Sequence, residues 1–355
     1  MKQRIEKLQN FLLDGEAILI FSDSNRFYFT NFRSSAGVIT ITREKAVFLI
    51  DFRYFEKAKQ VVNTMEVALC TDTYKQIAEF LNAHKIKKVF IETDEVKLSL
   101  FTKLKTELAG IDISEECKVQ DIIKNLRAVK SESEIGLIKS AQQITDKAFS
   151  YILERIDIGR TEKEIALDLE FFMRKNGAEG VAFGLIIVSG KNSSLPHGAP
   201  SDKKLQKGDF LTMDFGARVG GYRSDMTRTV ALSSVTERQK MVYDTVLKSQ
   251  LLALDGIKAG AVCKDIDALA RNFINESGFQ GCFGHGLGHS IGIDNHESPS
   301  FNTRDTTVLK SGMVLTVEPG IYLENEFGVR IEDMVVVTEN GYENLTKSPK
   351  ELIVV

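Results

Sequence analysis

Two aspartates eleven residues apart, Asp214 and Asp225, flank the glycines of Val219-Gly220-Gly221 in a stretch, 211–230, whose arms are rich in β-branched and apolar residues. Glycine supplies the positive φ of a tight two-residue turn, so the stretch reads as a β-hairpin. With Gly220-Gly221 at the turn, Asp214 faces Thr227 and lies diagonal to Asp225; with Val219-Gly220 there, the aspartates are directly opposite. Either register puts both carboxylates on one face, with Cβ atoms roughly 4.5 to 8 Å apart. So placed they repel unless a cation lies between them, and a shared ion or a pair of divalent ions is the chemistry they suit.

The remaining candidates lie on either side of this stretch. Four of the five histidines fall in two glycine-containing segments, Leu195-Pro-His197-Gly and Gly284-His285-Gly-Leu-Gly-His289 through His296-Glu297. His285 and His289 have the spacing of a helical zinc site, but Gly286 and Gly288 are poor helix residues and the second position lacks Glu. That excludes an H-E-x-x-H helix and favours a strand or loop that lets backbone approach closely. Glu318 and Glu332 each sit inside an apolar, strand-like run, where an unpaired charge is costly and a cation relieves the cost. A connecting loop of odd length, such as 324–326, sets them opposite one another; an even loop puts them on opposite faces. Asp214, Asp225, His289, Glu318 and Glu332 together form an oxygen-rich donor set suited to two divalent ions bridged by carboxylates and a hydroxide. Hard ions such as Mn2+ are favoured over a lone structural Zn2+.

These residues need a scaffold. Residues 1 to about 125 alternate strand-like runs (17–21, 37–41, 46–50, 66–69, 88–91) with helical patterns (52–62, 74–84, 98–108), giving a small α/β domain without a G-x-G-x-x-G or phosphate loop. There, Asp51 reads as a helix cap and Arg53 as a surface or interface charge. A boundary falls at 125–130. Beyond it, capping boxes at Ser131/Glu134, Thr161/Glu164 and Thr236/Gln239 open long helices, and a fourth helix follows at about 264–276. Apolar runs at 185–189, 314–323, 328–338 and 351–355 complete an α+β domain, in which helices cover one face of a curved antiparallel sheet and leave the other face for a site.

Composition narrows the partners. With 46 basic against 49 acidic residues the formal charge is -3, which offers neither a nucleic-acid footprint nor a polybasic membrane surface and points to small partners. No run approaches the roughly 18 apolar residues of a membrane span, and the charged, amphipathic start has no signal-like apolar core. The expected compartment is the cytoplasm. Four widely spaced cysteines (Cys70, Cys117, Cys263, Cys282) without a C-x-x-C pair read as free thiols there.

In order, Asp214, Asp225, the Gly-His-Gly-Leu-Gly-His block, Val-Glu318-Pro-Gly and Val-Arg330-Ile-Glu332-Asp resemble the pita-bread metallopeptidases: prolidase (Xaa-Pro dipeptidase) and aminopeptidase P, with creatinase and methionine aminopeptidase as relatives. Phe27-Tyr-Phe-Thr-Asn-Phe32 and Asp51-Phe-Arg-Tyr54 resemble the non-catalytic N-terminal domain of the prolidase and aminopeptidase P branch. The resemblance implies an N-terminal domain at 1–125 and a pita-bread domain at 126–355. It implies that Asp214, Asp225, His289, Glu318 and Glu332 hold two divalent ions, with Asp225 and Glu332 bridging. Mn2+ is the first choice, and Co2+, Zn2+ and Fe2+ are alternatives. It further implies that Glu318 takes a proton from water, that His197 and His296 contact substrate and its tetrahedral intermediate, and that His285 stands just behind them.

Arg330, two residues before Glu332 and so on its strand face, either neutralises the acids or serves as a structural salt-bridge partner. Arg304 resembles the arginine with which prolidases hold a dipeptide's terminal carboxylate. The implied activity is cleavage of the bond between an N-terminal residue and a following proline in small peptides, by a homodimer whose N-terminal domains help close the neighbouring sites. A creatinase-like C–N hydrolase and a non-catalytic pita-bread binding protein are the rivals, and the intact ligand set counts against both.

Overall fold

Alternating apolar runs of three to five residues build the first part of the chain into one mixed sheet. The computed structural model describes residues 2–355 and divides into a unit that ends at Leu126 and a second unit, Arg127–Val355. In the first unit the strands are β1 (Glu16–Ile20), β2 (Val38–Thr42), β3 (Ala46–Ile50), β4 (Glu66–Leu69), β5 (Lys88–Ile91) and β6 (Asp112–Ser114), ordered β4-β3-β2-β1-β5-β6. The inner strands β1 to β3 pair antiparallel, and β4, β5 and β6 join parallel. Helices α1 (Lys2–Phe11), α2 (Asp23–Thr30), α3 (Phe52–Val61), α4 (Thr73–Ala83), α5 (Leu98–Glu107) and α6 (Lys118–Ala128) alternate with them. Ile77 and Leu81 of α4 and Leu104 of α5 bury against Ala17, Leu19, Leu49, Val89 and Ile91. Each such side chain contributes about 1.5 to 3 kcal/mol of hydrophobic stabilisation. Asp51 caps α3 as expected, its carboxylate accepting the Arg53 N–H.

In the second unit all three capping boxes form, at the starts of α7 (Glu132–Leu153), α8 (Glu162–Lys175) and α9 (Glu237–Asp255); losing such a cap typically costs about 1 kcal/mol. The fourth helix is α10 (Cys263–Ile274). Among the described residues no helix is long and apolar enough to cross a membrane. All four cysteines are free thiols.

Two interrupted hairpins carry the acids. The first combines β9 (Phe210–Phe215) and β10 (Ala217–Val219) with β11 (Tyr222–Arg223) and β12 (Met226–Ala231), after two short strands, β7 (Gly180–Val181) and β8 (Ile186–Ser189). Gly220 and Gly221, at φ 54° and 82°, make its turn. Of the two registers open from sequence, the one with Asp214 paired to Thr227 is adopted. The second hairpin follows β13 (Gly288–Ser290) and β14 (Glu297–Phe301). It combines β15 (Val314–Val317) and β16 (Gly320–Leu323) with β17 (Phe327–Arg330) and β18 (Asp333–Val337), and β19 (Tyr342–Asn344) adds to its edge. Its loop is the odd one, 324–326, and the pairs Val317/Asp333 and Gly320/Arg330 keep one register, which sets Glu318 across from Glu332. The hairpins join where the Glu332 N–H donates to the Thr227 carbonyl at 3.1 Å and the Thr229 hydroxyl donates to the Arg330 carbonyl at 3.0 Å.

Period two then sorts the side chains. Leu211, Met213 and Phe215 pack with Ile144, Phe149, Leu169 and Met173 of α7 and α8. Leu315, Val317, Ile321 and Val329 pack with Val242, Val246, Ile266 and Ala270 of α9 and α10. Asp214, Thr227, Glu318, Arg330 and Glu332 are thereby turned to the opposite face. The expected α+β domain, one face covered and one free, is the one observed. The 351–355 run is less regular than expected and forms only an isolated bridge from Val354 to Ala231.

Candidate metal and catalytic site

On that free face a cavity of ≈ 480 Å³ is lined by Asp214, Asp225, His289, Glu318 and Glu332. His197, His285, His296 and Arg330 line it as well. Sequence reasoning assembled nine of these side chains from segments 135 residues apart, and the fold brings all nine together. It leaves one expected residue outside: Arg304 is exposed, it is absent from the cavity lining, and its backbone N–H donates to Asn302 Oδ1.

The acids crowd one another with little counter-charge. Glu332 is 1% exposed. Its Oε2 accepts from the Thr227 hydroxyl at 2.7 Å, while Oε1 has no donor among the described residues. Asp214 is arranged in the same way, with Oδ2 accepting from Arg330 Nη2 at 2.6 Å and Oδ1 without a partner. Asp225 accepts from Asn295 Nδ2 at 3.2 Å. Burial foremost, and then the charges of Asp214 and Glu318, hold the Asp225 carboxyl well above its usual range. Burial followed by Asp225, Glu318 and Asp214 does the same to Glu332. Glu318, the most accessible of the four, is pushed up to about 8 by burial and by Asp214, against the pull of Arg330.

His289 completes the set as a neutral ring. Burial, then the neighbouring His296, lowers its pKa to about 3, and Nδ1 lies 3.2 Å from the Ser290 carbonyl, to which it is placed to donate. The lone pair of Nε2 then faces Glu318 Oε1 at 3.3 Å and Asp225 Oδ2 at 3.8 Å. Strand β13 can approach this closely because residue 288 is glycine: a Cβ there would lie 2.0 Å from the Thr316 carbonyl oxygen. Donor atoms of Asp225, His289 and Glu332 lie within 4.8 Å of one another. Orphaned, buried carboxylate oxygens beside a neutral imidazole are the donor set of a divalent-cation site.

The other histidines differ in their support. His296 is exposed on the cavity side, its ring centroid 4.3 Å from that of His289, and burial and His197 lower its pKa. His197 follows a short helical turn, Gly190–Ser194. Its loop is pinned by the fully buried Glu162, whose carboxylate accepts from the Ser189 N–H at 2.6 Å and the Ser201 N–H at 3.1 Å. His285 is the most buried of the cavity's outer histidines and is held at both ring nitrogens. Its Nδ1 lies 2.8 Å from the Gly286 carbonyl and its Nε2 2.9 Å from the Tyr322 hydroxyl. Burial and Arg330 bring its pKa down to about 4.

Both ends of the chain's pattern match known families: residues 4–129 match the Creatinase/Prolidase N-terminal domain, and residues 136–339 match metallopeptidase family M24. The chain belongs to metallopeptidase family M24. An Xaa-Pro dipeptidase of Pyrococcus horikoshii is 39% identical over 99% of this chain and 99% of its own length. A solved Xaa-Pro dipeptidase from Bacillus anthracis superposes with a TM-score of 0.95 at 40% identity, over 100% of this chain and 99% of that one. An X-Pro aminopeptidase from Thermotoga maritima superposes at 0.90, also with 40% identity, over 98% and 100%. The fold of this M24 peptidase is therefore the pita-bread fold expected of it.

Two contributors to the M24 site escaped the sequence reading. The Tyr322 hydroxyl accepts from Arg330 Nη1 at 2.9 Å and serves His285 on its other side. Thr227 bridges the hairpins, accepting from Arg330 Nε at 3.0 Å while donating to Glu332. The signal for Tyr322 was available, because period two puts residues 318, 320 and 322 on one face once the hairpin register is known.

Proposed function

We propose that this M24 metallopeptidase is an exopeptidase that hydrolyses the bond between an N-terminal residue and a following proline in small peptides. Two divalent ions, with Mn2+ favoured by the oxygen-rich donors, would be held by Asp214, Asp225, His289, Glu318 and Glu332 and would supply Lewis-acid charge that makes water a nucleophile near neutral pH. Arg330 orients Asp214 through its 2.6 Å contact and is itself fixed by Thr227 and Tyr322. Glu318, at the accessible edge of the cluster, takes the proton of the attacking water and passes it to the leaving nitrogen. His197 and His296, on the rim, donate to the carbonyl oxygen as negative charge develops on it.

The observation that carries this reading is the convergence of four carboxylates, two with orphaned oxygens, on the floor of a cavity whose rim presents two imidazoles. The names of the three relatives, two Xaa-Pro dipeptidases and an X-Pro aminopeptidase, supply the substrate class. Release of proline from an Xaa-Pro dipeptide, with and without added Mn2+, tests it. Metal-dependent release is expected, and absence of cleavage from every Xaa-Pro dipeptide and every Xaa-Pro-Xaa peptide would leave a creatinase-like hydrolase or a binding protein. An Xaa-Pro-Xaa tripeptide assayed alongside separates dipeptidase from aminopeptidase, and light scattering checks the homodimer.

A further inference from the structure

His296 ends a short loop, 291–296, that leaves β13 just after His289 and enters β14 at Glu297. A short connection has few backbone bonds of its own, so the direction of its last imidazole depends on what else the loop is tied to. Glu297 folds back beneath it. Its Oε1 accepts the backbone N–H groups of Ile293 at 2.9 Å and Asp294 at 3.1 Å. Gly292 makes the room, since a Cβ there would lie 2.9 Å from both carboxylate oxygens.

Two cations from the segment ahead of α7 meet that charge. Lys130 Nζ lies 3.2 Å from Glu297 Oε2 and donates to the Ser290 hydroxyl at 2.8 Å. Arg127 Nη2 donates to Glu297 Oε1 and, at 2.6 Å, to Asp294 Oδ2. The Lys130 and Glu297 side chains are 1% and 5% exposed. Buried ion pairs of this kind add little net stability compared with apolar packing, and their best-attested use is to specify one conformation. What this one specifies is a loop that follows His289 of β13, ends at His296 and carries Asn295, which bonds Asp225.

We propose that Arg127, Lys130 and Glu297 are positioning residues that lock the 291–296 loop so that His296 is presented to substrate. The proposal rests on the substrate role given to His296 above. A double-mutant cycle on the metal-loaded enzyme tests it, using Lys130→Met, His296→Ala and the pair, with kcat, KM and bound metal measured for each on an Xaa-Pro dipeptide. Alone, Lys130→Met should lower kcat about 10- to 100-fold, the range that misplacing a catalytic group commonly costs. KM and metal content should stay within about two-fold of wild type. In the His296→Ala background the same substitution should cost less than about three-fold, because the group it positions is gone.

Multiplicative losses, or loss of metal on Lys130→Met alone, would overturn the proposal while leaving the role of His296 intact. A His296→Ala enzyme with normal kcat would overturn that role first and the proposal with it. Should Lys130→Met fail to fold, the isosteric Glu297→Gln is carried through the same cycle with the same expected and contrary results.

Discussion

Glu332 and Asp333 are adjacent, each only 1% exposed, and in opposite electrostatic states. Glu332 faces three other carboxylates and has one oxygen without a donor. Asp333, turned to the other side of the strand, meets Arg228 Nη2 at 2.7 Å, Lys350 Nζ at 2.7 Å and Asn344 Nδ2 at 2.9 Å. Burial pulls the Asp333 pKa up, but Arg228 and Lys350 pull it further down, below the usual carboxylate range. Glu297 belongs with Asp333: Lys130 and Arg127 overcome its burial and bring it to about 2. Burial alone therefore does not mark a functional acid. The absence of a protein cation of matching charge does, because such a site is complete only with a cation from outside.

The largest expected effect is on turnover. Asp225→Asn or Glu332→Gln should lower kcat/KM by about 10³-fold or more, with bound metal falling in parallel, if each supplies the anionic ligand proposed for it. The metal-free protein should melt no lower than wild type, since the substitution relieves repulsion. Normal metal content in either variant would remove that residue from the ligand set. Asp333→Asn should behave in the opposite way. It leaves Arg228 and Lys350 facing a neutral amide and should destabilise the fold by about 3 to 5 kcal/mol in urea unfolding, while the folded fraction keeps its metal. Metal loss without destabilisation would erase the distinction between the neighbours.

The two kinds of acid also give opposite pH signatures in the metal-free protein. Glu318 has a folded pKa of about 8, above its ordinary 4.5, so the folded state binds its proton more tightly; stability is full below about 4.5 and falls as pH rises towards 8. Glu297 is lowered from 4.5 to about 2, so its contribution is present above 4.5 and is lost as pH falls towards 2. Thermal melts across this range should show both limbs, and saturating Mn2+ should flatten the upper one. An upper limb that Mn2+ leaves unchanged would show that the repelling acids are not where the ion binds.

The smallest expected effect is at Arg304. As an exposed loop charge, its replacement by Ala should change kcat/KM on an Xaa-Pro dipeptide by less than about two-fold. A loss of about ten-fold or more confined to dipeptides would instead give it the terminal carboxylate, worth a charge-assisted contact.

Much of this arrangement was readable because period two is a strong constraint: once Asp214 and Asp225, or Glu318 and Glu332, lie on arms of hairpins, only the turn remains undecided. The turn at Gly220-Gly221 and the odd loop 324–326 settled what residue patterns left open. Helix α2 went unread for the opposite reason. Six of its eight residues are buried, Asn25 and Arg26 among them, so it has no polar face to give a helical pattern. Thr227 and the Arg127–Lys130–Glu297 cluster were missed because their partners are distant in the chain, whereas Tyr322 needed only the hairpin register. The segment 125–130 looked like a boundary, and nothing local marks Lys130 as the counter-charge of a residue at position 297. Arg304 shows the converse, a residue type and spacing that resembled a known role at an exposed position outside the cavity lining.

Titration of the metal-free enzyme with Mn2+, with proline release from an Xaa-Pro dipeptide recorded at each step, is the most direct test of the claim that these unpaired acids are a two-ion catalytic centre. Activity should rise from zero and saturate when two ions are bound per chain. Full activity at one ion per chain, or proline release that ignores the metal, would contradict it.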